Sequence, residues 1–145
     1  MSRIARVISE SGVYHILFRG VNQQNIFEEA SDFEKLKNTI RIVKQEMDFE
    51  IFAYCFMSNH VHIVLKERNI GDISLIMKRI LTKYARWYNI KYGRSGALIA
   101  NRYKSVLVEE NKSFSAFAFD FSVNIPNPIK GHMMKDVLSA LEVNQ

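Results

Sequence analysis

The stretch EIFAYCFMSNHVHIVLK, residues 50–66, decides the architecture. Glu50 to Met57 is β-branched and aromatic and reads as one strand, while His60 to Lys66 alternates and reads as another. Only Ser58-Asn59 separates them, a tight two-residue hairpin connection. Alternation sends Val61, Ile63 and Leu65 to one face, and His60, His62, Val64 and Lys66 to the other. The first set is a core face. The two imidazoles therefore project side by side off the core, about 6–7 Å apart at the backbone. That spacing suits two neutral nitrogens converging on one metal ion. A lone His-x-His is common by chance, and a merely solvated pair is the bland alternative. The apolar set gives the pair its weight.

Outward from the hairpin, the pattern is regular. Val13 to Arg19 (VYHILFR) reads as a strand, followed by a polar loop at Gly20 to Gln24. Ser31-Asp32-Phe33-Glu34 fits a capping box, after which Phe33, Leu36, Ile40, Val43 and Met47 recur at helical spacing. Asp72 caps a second helix that runs to about Tyr92, where Gly93 stops it. Arg102 to Glu109 (RYKSVLVE) is a further strand. Ser113 to about Val123 is a third helix, ended by Pro126 and Pro128, and a short helix from His132 to Leu141 follows. The order predicts an α+β, ferredoxin-like fold: a split β-α-β antiparallel sheet with helices on one face and a C-terminal helix. The other face is open to that helix or to a ligand. Residues 1–145 make one domain.

Charge narrows the function. The chain carries 20 Lys and Arg against 15 Asp and Glu, a net of +5. Between Asp72 and Glu109 there is no acidic residue, while Lys78, Arg79, Lys83, Arg86, Lys91, Arg94, Arg102 and Lys104 fall in that run. A one-signed field favours polyanions, although a solvated helix face is the plainer account of any one basic helix. On a helical wheel Ile76, Met77, Ile80, Leu81, Tyr84, Trp87 and Tyr88 fill one apolar arc. Arg79, Lys83 and Arg86 cluster away from it and are the expected phosphate contacts. Arg94 in a glycine-flanked loop, Arg102 and Lys104 on one face of their strand, and Arg19 complete the expected DNA-binding set. Cys55 is the only cysteine, which excludes a disulfide or thiolate cluster within the chain and reads as a buried, inert thiol. No stretch is long and apolar enough for a bilayer, and MSRIARVISE has no apolar signal core, so a cytoplasmic protein is expected.

With these residues in view, the chain resembles the single-tyrosine HUH transposases of the insertion-sequence-200-like group, especially the REP-associated branch. YHILFRGVNQQNIF, AYCFMSNHVHIVLK and LTKYARWYNIKYGRSG followed by NRYKSVLVEE carry the resemblance, from about Val13 to Lys130. It implies that His60-Val61-His62 is the HUH motif and that Mg²⁺ or Mn²⁺ on the two histidines polarises a phosphate in single-stranded DNA, often beside a hairpin. It further implies that a tyrosine on the C-terminal helix attacks, leaving a 5′-phosphotyrosyl link and a 3′-hydroxyl.

Here the sequence departs from the pattern. The tyrosines are Tyr14, Tyr54, Tyr84, Tyr88, Tyr92 and Tyr103, and none falls in the C-terminal helix. Family members place the nucleophile shortly before an Asn-Pro pair, here Asn127-Pro128, and Phe121 is the best match. Phenylalanine has no oxygen to attack phosphorus. Three accounts fit: a natural inactive relative that still binds DNA, a Tyr-to-Phe variant made to trap a substrate, or a different tyrosine in the role. The third metal ligand, one turn beyond the nucleophile, falls on Asn124, with Asn127 as the alternative and chain-end capping as the plain reading of both. The functional classes left are a DNA strand-transferase and a silent single-strand or hairpin-binding protein that keeps the metal site. A metal-dependent RNA-binding or RNA-cleaving protein is a weaker third. Relatives include dimers and monomers, so a homodimer stays open.

Overall fold

Phe33, Leu36, Ile40 and Val43 bury one stripe of a helix, and Ile73, Ile76, Met77, Ile80, Tyr84 and Tyr88 bury the stripe of another. Both stripes need an apolar surface, and the alternating strands supply it. The computed structural model describes residues 11–108. In chain order these form β1 (Val13–Arg19), a 3-10 turn (Val21–Gln23), α1 (Ala30–Glu46), β2 (Phe49–Met57), β3 (His60–Glu67), α2 (Asp72–Tyr92) and β4 (Lys104–Val108). The sheet order is β2-β3-β1-β4 with every pairing antiparallel. This is the expected split β-α-β arrangement, with β3 inserted between β2 and β1. The helices expected at 113–123 and 132–141 lie outside the described residues. No helix among the described residues is long and apolar enough to cross a membrane.

Tyr14, Ile16 and Phe18 of β1, Phe56 of β2, and Val61, Ile63 and Leu65 of β3 meet the helical stripes in one core. Each such side chain contributes roughly 1.5–3 kcal/mol when fully buried. In β2 the pairing shifts register between Ile51 and Ala53, a bulge centred on Phe52. The bulge turns Tyr54 and Phe56 onto the core face opposite Ile63 and Val61, and puts Cys55 opposite His62.

Two helix starts differ from the sequence expectation. The capping box of α1 is Glu29 with Asp32, two residues before the Ser31 register, because Asp32 turns back to accept the Glu28 and Glu29 N–H groups at 2.8 and 3.2 Å. Buried Asp32 is further held by the Lys91 ammonium at 2.6 Å and the Tyr92 hydroxyl at 2.6 Å. Its burial raises the carboxyl pKa, but these hydrogen bonds outweigh that and hold it below the ordinary value. At α2 the cap is Gly71, not Asp72. Buried Glu67, at the end of β3, accepts the Gly71 and Ile73 N–H groups at 3.2 and 2.9 Å, together with the Tyr14 hydroxyl at 3.3 Å. A carboxylate from the neighbouring strand thus satisfies the first turn and complements its dipole.

The loop from Gly20 to Phe27 closes over the β2–β3 turn. Gly20 N–H donates to the Asn59 carbonyl at 2.9 Å, and the Ile26 and Phe27 N–H groups donate to the Ser58 carbonyl at 2.7 and 3.2 Å. From the other side Tyr84 and Tyr88 donate to the Ile26 and Asn25 carbonyls at 2.5 and 3.1 Å. The curl is so tight that a Cβ on Gly20 would lie 2.1 Å from the Gln24 carbonyl oxygen. Gly20→Ala should therefore open this loop and lower stability by about 1–3 kcal/mol, the usual cost of overpacking against backbone. Urea denaturation checks it, and unchanged stability would mean that the loop relaxes without loss.

Candidate functional site

Because β3 is an interior strand, its histidines have neighbours on both sides. Arg19 of β1 pairs with His60, Leu17 with His62, and on the other flank Met57 and Cys55 pair with the same two residues. Val61, Ile63 and Leu65 are fully buried among the helices, so His60 and His62 stand on the opposite face, as the alternation predicts. Their ring centroids are 5.2 Å apart, with planes at 77°. A third imidazole joins them. His15, two residues before Leu17 on β1, is the diagonal neighbour of His62, with ring centroids 5.2 Å apart and Nε2 3.0 Å from His62 Nδ1. On the other flank His60 Nδ1 lies 2.8 Å from Asn59 Oδ1. The Asn59 amide nitrogen in turn donates to the Gln23 carbonyl at 3.5 Å, which orients its oxygen toward His60.

All three rings favour the neutral form. Burial lowers the His15 pKa. Burial and then the Arg19 charge lower that of His60. For His62, burial followed by the neighbouring His15, His60 and Arg19 brings it down to about 4. Neutral imidazoles with one ring nitrogen hydrogen-bonded and the other left as donor atom are what a divalent cation requires. Among the described residues no group of three His, Cys, Asp or Glu side chains is placed to hold an ion. Buried Cys55, facing the same side, has its thiol pushed up to about 11 by desolvation, consistent with an inert role.

The basic residues divide. Arg19, Arg102 and Lys104, together with Leu17, line a cleft of about 180 Å³ beside the histidines. Arg79 and Lys83 lie on α2, in the helical layer, and both reach Glu46 of α1, at 3.1 and 3.8 Å. Arg86 is exposed on the same helix. Arg94 donates to Asn89 Oδ1, to Gln24 Oε1 at 2.7 Å and to the Ala97 carbonyl at 3.3 Å, so its guanidinium fastens the loop after α2 to the loop after β1. Phe121, Asn124 and Asn127 lie outside the described residues. The chain's six tyrosines all serve the core side: Tyr14, Tyr84 and Tyr88 are buried, and Tyr54, Tyr92 and Tyr103 pack against the same cluster. None stands on the histidine face.

The profile of the family described as "Transposase IS200 like" matches residues 9–117. The chain belongs to that family of DNA transposases. Among solved structures, it is similar to a REP-associated tyrosine transposase bound to a REP hairpin, at 18% identity and a TM-score of 0.59, covering 76% of this chain. It spans 64% of that protein's length. It is also similar to a proposed transposase from Deinococcus radiodurans R1, at 19% identity and a TM-score of 0.53, covering 86% of this chain and 95% of that one. At such identities these likenesses concern the fold. No curated protein matches the sequence.

The sequence pattern alone did not place His15 and Asn59 beside the histidine pair. Alternation along VYHILFR puts Val13, His15, Leu17 and Arg19 on one face, and in the split topology that strand lies beside β3. The same alternation therefore carries His15 to the face of His60 and His62. The imidazole cluster also sets a pH response. The unfolded chain protonates His62 near 6.5, whereas the folded form holds it neutral down to about 4. Metal-free stability should therefore be full above 6.5 and fall as pH drops from 6.5 toward 4. Urea midpoints across that range check it, and a His62→Gln variant should show a shallower fall.

Proposed function

We propose that this chain binds single-stranded DNA beside a hairpin, through a divalent-metal site at His60 and His62 and the cleft of Arg19, Arg102 and Lys104. Tyrosine-dependent strand cleavage is blocked for want of a hydroxyl at Phe121. The observation that carries this reading is the division of the sheet. Two neutral histidines share one face, while every tyrosine is used on the other. A silent binding protein is thus favoured over an active strand-transferase.

In this reading His60 and His62 hold Mg²⁺ or Mn²⁺ through ring nitrogens, with Asn124, or else Asn127, as an oxygen donor. When bound, the ion supplies Lewis-acid polarisation of a phosphate oxygen. Arg19 and its two basic neighbours bind the phosphates flanking that position, and Leu17 offers an apolar contact between them and the histidines. Arg79, Lys83 and Arg86 form a second, outlying basic patch, its charge already reduced by Glu46. Family membership supports DNA as the polyanion. The hairpin-bound relative supports a hairpin.

The decisive experiment is a nicking assay on labelled hairpin-flanked single strands with Mn²⁺. The chain as it stands should bind without cleaving, and Phe121→Tyr should gain cleavage with a covalent 5′-phosphotyrosyl product. Cleavage by both forms would overturn the assignment of Phe121, and absence of binding would overturn the DNA reading. Replacing Arg19 and Lys104 by Ala should also reduce the slope of log affinity against log salt by about 0.7 for each phosphate that is no longer neutralised.

A further inference from the structure

His15 has no place in the function proposed so far, yet its ring nitrogen sits within hydrogen-bond distance of one of the two metal-ligand candidates. A neutral imidazole has one N–H and one lone pair, so binding a cation through one nitrogen requires the proton to sit on the other. His60 is settled locally. Asn59 Oδ1 only accepts hydrogen bonds, so His60 Nδ1, 2.8 Å away, carries the proton and the lone pair is on Nε2. For His62 the partner is another imidazole. One proton lies between His62 Nδ1 and His15 Nε2, 3.0 Å apart, and whichever ring owns it determines which nitrogen of His62 can ligate.

We propose that His15 is a positioning residue: its Nε2 accepts from His62 Nδ1–H, so that His62, like His60, presents Nε2 to the cation. The inference rests on the metal reading of His60 and His62. The antiparallel register supports it, because Leu17 opposite His62 places His15 one diagonal step away and fixes the contact through the sheet ladder. In this assignment His15 acts through His62, its nearest nitrogen engaged with His62 Nδ1. The site is therefore a pair of ligands, each turned by one acceptor: Asn59 on the hairpin turn and His15 on β1. Both acceptors are held by the backbone that builds the fold.

Two measurements test this on the full chain. Long-range ¹H–¹⁵N correlation spectra of the metal-free protein report which nitrogen of each histidine is protonated. His60 and His62 should both carry the proton on Nδ1, and a proton on His62 Nε2 overturns the proposal. Mn²⁺ titration followed by electron paramagnetic resonance gives affinity without reference to catalysis. His15→Leu should weaken Mn²⁺ binding roughly 10–100-fold. His15→Gln, whose amide oxygen reaches about as far as Nε2 and can accept the same hydrogen bond, should restore affinity to within a few-fold. Wild-type affinity in His15→Leu, or equal losses in both variants, overturns it. If His15→Leu does not fold, the spectra of the unsubstituted protein decide. If that protein takes up no Mn²⁺ while His62→Ala is equally silent, the metal reading itself fails and the role of His15 falls with it. Metal uptake with the wrong tautomer sinks only the His15 assignment.

Discussion

Five hydrogen bonds around one short loop hold the rest of the molecule in register. Three N–H groups, from Gly20, Ile26 and Phe27, close on the two carbonyls of the Ser58-Asn59 turn, and two α2 tyrosines hold the same loop from behind. A turn of two residues leaves its carbonyls needing partners. Here the partners come from the segment that follows β1, so these carbonyls are satisfied when β1 lies alongside β3. A one-residue slip would reverse every side chain of β3 and carry the histidines into the core. The loop, the turn and the α2 hydroxyls together make that slip costly, and the orientation of the Asn59 amide beside His60 follows from the same contacts.

Charge illustrates how a linear run can mislead about a field. Eight cations between Asp72 and Glu109 suggest a continuous basic surface. In the fold, α1 lies antiparallel beside α2 and brings its own acids to them. Glu46 meets Arg79 and Lys83, Glu29 and Asp32 meet Lys91, and Arg94 is spent on amide and carbonyl oxygens. The pairs to Glu46 and Glu29 are exposed and stabilise little, whereas the Lys91–Asp32 pair joins a buried carboxylate. Their main effect is to subtract charge from the helical layer and leave the cleft of Arg19, Arg102 and Lys104 as the basic feature nearest the histidines. Arg19 came from outside the run altogether, since strand pairing and not sequence proximity put it there.

Much of the fold was legible because its periodicities are clean. The helical stripe from Phe33 to Val43, the arc from Ile76 to Tyr88, the stop at Gly93 and the alternation of HVHIVLK each specify one element and one face, and each is found where expected. What escaped depends on contacts distant in sequence. Glu67 caps α2 from the preceding strand, a role that Asp72 seemed positioned to fill. The α1 box sits at Glu29 because Asp32 has Lys91 and Tyr92 to bind. The strand EIFAYCFM shows no simple alternation because the bulge at Phe52 changes its phase midway. For the site, the two histidines on β3 were legible as a pair, whereas His15 becomes their neighbour only once β1 and β3 are known to be adjacent. No local pattern contains that information.

The tyrosines supply the remaining step. A phenol attacks phosphorus as its phenolate or with a base alongside. Burial, reinforced by Glu28, pushes Tyr88 up to about 12, and burial followed by Asp32 raises Tyr84 further. Each hydroxyl is also occupied in holding the Gly20–Phe27 loop, Tyr14 holds Glu67, and Tyr92 holds Asp32. Redirecting these side chains across the sheet would dismantle the contacts that hold the Gly20–Phe27 loop and the first turns of both helices. A nucleophile for the histidine face must therefore approach from beyond the sheet's outer side, and every tyrosine the chain possesses is already within the described fold. On the proposed reading, the structural use of the tyrosines and the loss of cleavage are linked. On that same reading, binding and bond breaking separate at a single oxygen atom, the hydroxyl that Phe121 lacks.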